Sequence, residues 1–188
     1  MRRTAVEVNN ITLIVRFEVG FPANGRTINA QELEKILLDF LPQIVKKCLV
    51  YQAWDKTKVQ ETYELAENQQ RIREVLEERK LVAFCANGSI LPRKSGVSSQ
   101  PLKDAVAFES PKSMEITVDL PFGGTICGMG IPEGVTLIIG GGYHGKSTLL
   151  QALEQGIYNH VNGDGREYVI TRANALKLRA EDGRAVSK

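Results

Sequence analysis

A chain of 188 residues with 43% hydrophobic and 24% charged side chains has the make-up of an ordinary globular protein, long enough for one large domain or two small ones. A net charge of +2 gives no argument for or against nucleic acid, and no apolar stretch approaches the ~18 residues a membrane helix needs. The basic start Met1-Arg2-Arg3-Thr4-Ala5-Val6-Glu7 lacks the apolar segment of a signal peptide, and three scattered cysteines without metal-ligand spacing predict free thiols in a reducing, cytoplasmic setting.

Ile11, Leu13, Val15, Phe17 and Val19 alternate with mostly polar neighbours, which predicts a half-buried strand ending in the turn-rich stretch 20–25. Asn29 followed by Glu32 predicts a helix N-cap with a reciprocal glutamate. Leu33, Ile36, Leu37, Phe40, Leu41, Ile44, Val45 and Cys48 follow at helical spacing and read as a core stripe, with Pro42 expected to kink the helix. Cys48 and Cys85 lie on apolar faces and are expected to be buried.

Residues 55–80 predict a charged helix with one docked face, carrying Val59, Tyr63, Ala66, Ile72, Val75 and Leu76. Glu67 is spaced to pair with Arg71, and Glu74 to repel Glu78. The basic side chains Arg71, Arg73, Arg79 and Lys80 are candidates for an RNA-facing surface, against the plainer reading of a solvated face. Leu81-Val82-Ala83-Phe84-Cys85-Ala86 predicts a buried strand closed by an Asn87-Gly88 turn, and 89–101 a loop carrying Arg93 and Lys94.

A domain boundary is expected near Ser110-Pro111, dividing an N-terminal α+β accessory domain (1–110) from a second domain (111–188). Strands are expected at 114–120 and 125–129, then a turn at Gly134 and a strand over Val135-Thr136-Leu137-Ile138-Ile139. Further on come a turn at 162–165, strands at 167–171 and 175–179, and a turn at 181–184.

The strand at 135–139 runs directly into Gly140-Gly141-Gly142-Tyr143-His144-Gly145-Lys146-Ser147, which fits the phosphate-binding pattern G-x-x-x-x-G-K-[ST]. Glycines let successive backbone N–H groups turn inward toward an anion, the lysine reaches the β- and γ-phosphates, and the serine hydroxyl can sit on Mg²⁺. Apolar Leu149, Leu150 and Leu153 predict a helix opening at the loop, whose dipole adds attraction for phosphate. The fold class is therefore α/β, with a phosphate-loop core behind the accessory domain.

No Asn-Lys-x-Asp motif and no Asp-x-x-Gly switch occurs, which disfavours a GTPase. The stretch from Gly130-Ile131-Pro132 to Lys146-Ser147-Thr148-Leu149-Leu150 instead resembles the opening of an ABC-type ATPase domain. Ala83-Phe84-Cys85-Ala86-Asn87-Gly88-Ser89-Ile90-Leu91-Pro92-Arg93, Gly128-Met129-Gly130-Ile131-Pro132, Gly156-Ile157-Tyr158-Asn159-His160 and Glu181-Asp182-Gly183-Arg184 resemble more narrowly the predicted ABC-class ATPases that are not transporters. The resemblance covers most of the chain after about residue 80 and implies an extra N-terminal domain and an ATP site with Mg²⁺. It implies that Gly140, Gly141, Gly142, Tyr143, His144 and Gly145 cradle phosphate, and that Lys146 contacts the β/γ-phosphate as the catalytic lysine. Ser147 then falls on Mg²⁺ and Thr148 on an α-phosphate oxygen. Tyr143 and His144 replace small polar residues; they read as permitted loop positions, or, for His144, as a contact to phosphate or a partner subunit, while His160 reads as structural.

Hydrolysis in this class uses an Asp-Glu pair ending a later apolar strand and a signature loop of the Leu-Ser-Gly-Gly type from a second subunit, implying head-to-tail homodimers of complete domains. Neither motif follows the loop, so the chain is expected to stop part-way through the ATPase core, to bind rather than turn over, and to leave apolar surface or an open strand edge beside the loop. Two other readings stay open: a nucleotide-switched module binding RNA or protein through 55–80 and Arg93-Lys94, and a small-molecule kinase with Arg166 and Arg172 as lid arginines.

Overall fold

The computed structural model describes residues 5–178, which fall into two compact units, Met1–Asp55 and Lys56–Lys188. The expected boundary at 110/111 lies inside the second unit. The reason is sheet pairing: the strand at 81–86 is hydrogen-bonded between strands that come from beyond residue 111.

In the first unit, β1 (Val6–Val8) pairs antiparallel with β2 (Leu13–Val15), and β3 (Ala23–Asn24) with β4 (Thr27–Ile28). The strand expected over 11–19 is thus confined to three residues. Asn29 caps α1 (Ala30–Glu34) as predicted, its side-chain oxygen accepting from the Glu32 N–H at 3.3 Å. The Glu32 carboxylate, however, accepts from Lys35 Nζ at 2.9 Å rather than reaching back to the cap. The expected proline kink takes the form of a widened π-turn over Lys35–Phe40, followed by α2 (Leu41–Cys48) with Pro42 in its first turn. An i→i+5 pattern suits a sequence in which Pro42 has no N–H to give residue 38.

The stripe read as core is not buried within this unit. Leu37, Phe40, Ile44 and Val45 are exposed, and so is Cys48, contrary to expectation. Two two-stranded sheets and short helices offer too little area to enclose such a stripe.

The second unit is built on one antiparallel sheet of order β6-β7-β5-β8, where β5 is Leu81–Ala86, β6 Glu115–Asp119, β7 Thr125–Pro132 and β8 Val169–Thr171. Strand alternation sends Phe84, Ala86, Val118 and Ile170 to one face, where they pack with Ile72, Val75 and Leu76 of α3 (Lys56–Glu78). Ala83, Cys85, Met129, Ile131 and Val169 point to the other face and pack with Leu91 and with Ala152 of α4 (Lys146–Gln155). Leu81 joins the α3 face because the register slips between Leu81 and Ala83. Gly128 is required opposite Ala86: a Cβ there would stand 2.4 Å from the Cys85 carbonyl oxygen.

α3 buries two polar side chains that its apolar pattern did not announce. Asn68 clamps the β6–β7 turn, donating to the Phe122 carbonyl at 2.9 Å and accepting from its N–H at 3.0 Å. Gln69 donates to the carbonyls of His160 and Glu167 at 2.9 and 3.0 Å. Arg71 bonds Glu78 at 2.7 Å and Glu74 at 3.1 Å, so it bridges the pair expected to repel and does not use Glu67. Among the described residues no helix is long and apolar enough to cross a membrane.

Two sequence-expected strands are not formed. Residues 135–139 have no sheet partner among the described residues, and Val135, Leu137 and Ile139 are largely solvent-exposed. The apolar run keeps its composition without a neighbour among the described residues to hydrogen-bond. Residues 175–178 are likewise outside any strand; Arg179 and the turn at 181–184 lie outside the described residues.

Candidate nucleotide-phosphate site

The glycine loop at 140–145 is suspended between two fixed points. On the incoming side, the Glu133 N–H donates to the Lys80 carbonyl at 3.0 Å, and the Glu133 carboxylate pairs with Arg172. Arg172 also donates to the Leu76 carbonyl at 3.0 Å, tying the exit of β7 to α3 and β8.

On the outgoing side, α4 buries Ala152 against the sheet and packs Leu149 and Leu153 beside it. Its far end is closed by several acceptor–donor matches, because the last carbonyls of a helix lack intrahelical partners. Thr171 Oγ1 donates to the Leu153 carbonyl at 2.7 Å, and the Thr171 N–H to the Gly156 carbonyl at 2.9 Å. Arg73 donates to the Thr171 carbonyl at 2.8 Å, Asn159 Oδ1 at 3.0 Å and the Ile157 carbonyl at 3.3 Å. Gly156 fits because a Cβ would come within 2.8 Å of Thr171 Oγ1 and 2.9 Å of the Val169 carbonyl. Burial lowers the Arg73 pKa below the ordinary guanidinium value.

Between these anchors Gly145 stands at the N-cap of α4 with φ +78°, a left-handed conformation natural to glycine. Tyr143 also takes positive φ, +62°, with its ring fully in solvent. Such strain costs a non-glycine residue about 1–2 kcal/mol. No acidic residue sits in the first turn of α4, where the helix amides and dipole favour an anion. Lys146 Nζ folds back over the loop, donating to the Gly140 carbonyl at 2.6 Å and to the Gly141 carbonyl. The structure therefore gathers Gly140, Gly141, Gly142, Tyr143, His144, Gly145, Lys146, Ser147 and Thr148 at one helix N-terminus.

Beside the loop opens a cavity of about 510 Å³. His144, Gly145, Lys146 and Thr148 form its polar end, while Leu91, Pro92, Leu102, Val106 and Phe108, with Ile138 and Leu149, form apolar walls. The walls from 91–108 were missed in the sequence, where 89–101 reads as a loop and 102–108 carries no assignment; their approach to the phosphate loop is non-local.

Several polar side chains with functional promise are held inside the unit. Arg93 Nη2 pairs with Asp164 at 2.8 Å, and Asp164 also bonds His160 Nδ1. Burial pulls the His160 pKa below its ordinary value against the opposing pull of Asp164, and His160 Nε2 is buried without a hydrogen-bond partner among the described residues. Arg166 is buried and donates through Nε to the Leu91 carbonyl at 2.9 Å. Arg73 and Arg93 are thus engaged inside the unit, Arg71 pairs with Glu74 and Glu78 on the exposed side of α3, and Arg166 and Arg172 are structural ties.

Two family models match the chain: the P-loop domain of ABC ATPases over residues 55–188, and the N-terminal region of ATPases of the ABC class over residues 1–52. The chain belongs to the ABC-class ATPases. Their junction coincides with the division between the two compact units of the ABC-class chain. An uncharacterized protein of Methanocaldococcus jannaschii is similar, 36% identical over 118 residues that make up 58% of this chain and 26% of that protein. The matched part is thus about a quarter of that relative's length. This ABC-class architecture, an N-terminal domain followed by a P-loop domain, is one that binds nucleotide.

Proposed function

We propose that the second unit binds Mg-ATP, with the loop amides of 140–145 around the phosphates, Lys146 against the β/γ-phosphate, Thr148 near the α-phosphate and Ser147 as a metal ligand. The observation that carries this reading is the joining of Gly145, left-handed at the N-cap, to a helix whose other end is fastened to β8. A fixed helix with a bare first turn holds its amides ready for an anion without reorganisation. Lys146 is already at the loop's mouth, on two neutral carbonyls that a polyphosphate would outcompete as charge partners.

Binding is expected to exceed turnover in this chain. Phosphoryl transfer needs groups that orient water and complete the metal shell, and among the described residues the cavity beside the loop is lined by no carboxylate. Mg²⁺ would supply charge neutralisation of the phosphates; on the protein side Ser147 would give it one oxygen.

The test is thermal unfolding with and without Mg-ATP. At a ligand concentration of about 100 times Kd the folded state gains about 2.7 kcal/mol, a readily measured rise in midpoint. Lys146→Ala is expected to remove the rise while leaving the ligand-free midpoint in place, since among the described residues Lys146 Nζ bonds loop carbonyls alone. A rise of the same size in the variant would refute the assignment.

A further inference from the structure

The first unit is rich in apolar side chains, yet none of residues 5–55 is buried. α1, the π-turn and α2 run on as one right-handed helix over 30–48, since the residues at both junctions keep helical φ and ψ. Leu33, Ile36 and Leu41 are half-buried, whereas Leu37, Phe40, Ile44 and Cys48 follow one another on the exposed side at steps of three and four residues. Ordering such a helix costs conformational entropy, and the packing within its own unit does little to offset it. A stripe of this kind needs a covering layer.

The charges along the helix select that layer. Its first half, 30–40, carries Glu32, Glu34 and Asp39 against Lys35 and is net negative; its second half, 41–48, carries Lys46 and Lys47 and no acid. Laid antiparallel on a second copy, each negative half meets a positive half, and the two helix dipoles oppose. Laid parallel, like charges would face one another along the whole length. We propose that the helix over 30–48 pairs antiparallel with its own copy, making a two-fold homodimer through the first unit. With the helices in full overlap, Lys46 and Lys47 lie opposite the turn that holds Glu32 and Glu34, and Phe40 stands beside the two-fold axis, near the Phe40 of the other copy. The interface uses no residue of the phosphate site and needs no nucleotide. Because it is self-complementary, any substitution in it acts twice.

Sedimentation of the whole chain without nucleotide, over a concentration series, tests the pairing. A dimer is expected, and Phe40→Asp should weaken it about a hundredfold or more, as loss of a central aromatic does. Phe40 is 53% exposed and no side chain of the helix is buried, so the fold does not depend on it; circular dichroism is the check. Glu34→Lys with Asp39→Lys makes both halves positive, and Lys46→Glu with Lys47→Glu makes both negative. Each double variant alone should dimerise about tenfold more weakly, and an equimolar mixture of the two should recover the dimer. Orientation is read by oxidation in a Cys127→Ser background. Cys48 of the two copies then stands apart by a helix length, about 27 Å, and should not cross-link. Added Ala30→Cys lies across from Cys48 of the other copy and should give a covalent dimer. A monomer up to about 100 μM would overturn the proposal and leave the stripe to a different partner. So would a dimer that forms only with Mg-ATP or survives Phe40→Asp, a mixture no stronger than its components, or a Cys48–Cys48 disulfide, which marks parallel packing.

Discussion

Arg73 fastens the end of α4 farthest from the phosphate loop, and its removal gives the sharpest test of how the loop is held. Arg73→Met keeps the aliphatic stem and deletes the guanidinium. Two of its bonds are short, to the Thr171 carbonyl at 2.8 Å and Asn159 Oδ1 at 3.0 Å; those to the Ile157 and Gly156 carbonyls are long, at 3.3 and 3.5 Å. A hydrogen bond from a charged donor contributes about 1.5–3 kcal/mol, so the short pair alone would give roughly 3–6 kcal/mol in a dry site. Arg73 is only half-buried, and water reaching the vacated carbonyls recovers part of that. We expect a net loss of about 2–3 kcal/mol. With a urea slope of about 2 kcal/mol per molar, the unfolding midpoint should fall by about 1–1.5 M. Arg71→Met is the control two residues away, because its partners Glu74 and Glu78 sit in solvent, and it should hardly move the midpoint. Equal shifts for the two variants would refute the reasoning, since they would show that the carbonyl cluster at the end of α4 contributes no more than a surface ion pair.

Other consequences follow from individual side chains. His160 is kept neutral by burial, so its folded pKa lies below the value of about 6.5 in the unfolded chain. The unfolded state then binds the proton first, and the stability that neutral His160 contributes is complete above about pH 6.5 and declines as pH falls below it. His160→Gln should flatten the difference in urea midpoint between pH 7.5 and 5.5; an unchanged difference would assign the acid sensitivity elsewhere. Burial pushes the Cys85 thiol up to about 12, whereas Cys48 and Cys127 are exposed. A disulfide reagent should therefore modify two thiols in the native protein and the third only on unfolding, and rapid modification of all three would contradict the packing around β5. Gly128→Ala places a methyl 2.4 Å from the Cys85 carbonyl oxygen and 2.7 Å from Ala86 Cα, both backbone atoms, and should cost about 3 kcal/mol or more. Gly96→Ala, which meets nothing within 4 Å, should be near neutral by the same unfolding assay.

The parts of the fold that could be read from sequence are those whose signal is local and repeated. α3, β5 and α4 appear where periodicity places them, and Asn29 caps α1, because a helix face, an unbroken apolar run and a cap are each decided within a few residues. The phosphate loop belongs to the same group, since its glycines and lysine carry their geometry in fixed order. What escaped was decided by partners far along the chain. Asn68 and Gln69 look like solvent-facing positions of a polar helix until their acceptors, Phe122, His160 and Glu167, are brought to them. The apolar residues of α2 and of 135–139 satisfy every local criterion, yet apolarity alone does not supply a covering layer or a strand neighbour. The 91–108 wall shows no pattern because its residues are spaced by the contour of the cavity, not by a helix or strand period.

This division explains why the phosphate loop could be recognised while the means of holding it could not. A glycine loop has to be free to shape itself around an anion, so its sequence specifies conformational permission; its position must come from rigid surroundings. Here those surroundings are Glu133 with Arg172 on one side, and Thr171 with Arg73 on the other. Each of these ties joins segments separated by 18 to 98 residues. Arg73 and Arg172 therefore do for the loop what no residue within it can do, which is to fix the helix amides in place before any ligand arrives. Arg73, which in the sequence suggested an outward-facing charged surface, and Arg172, read there as a lid arginine, direct their charge to carbonyls at the ends of α3, α4 and β8 and, for Arg172, to the carboxylates of Glu133 and Glu77.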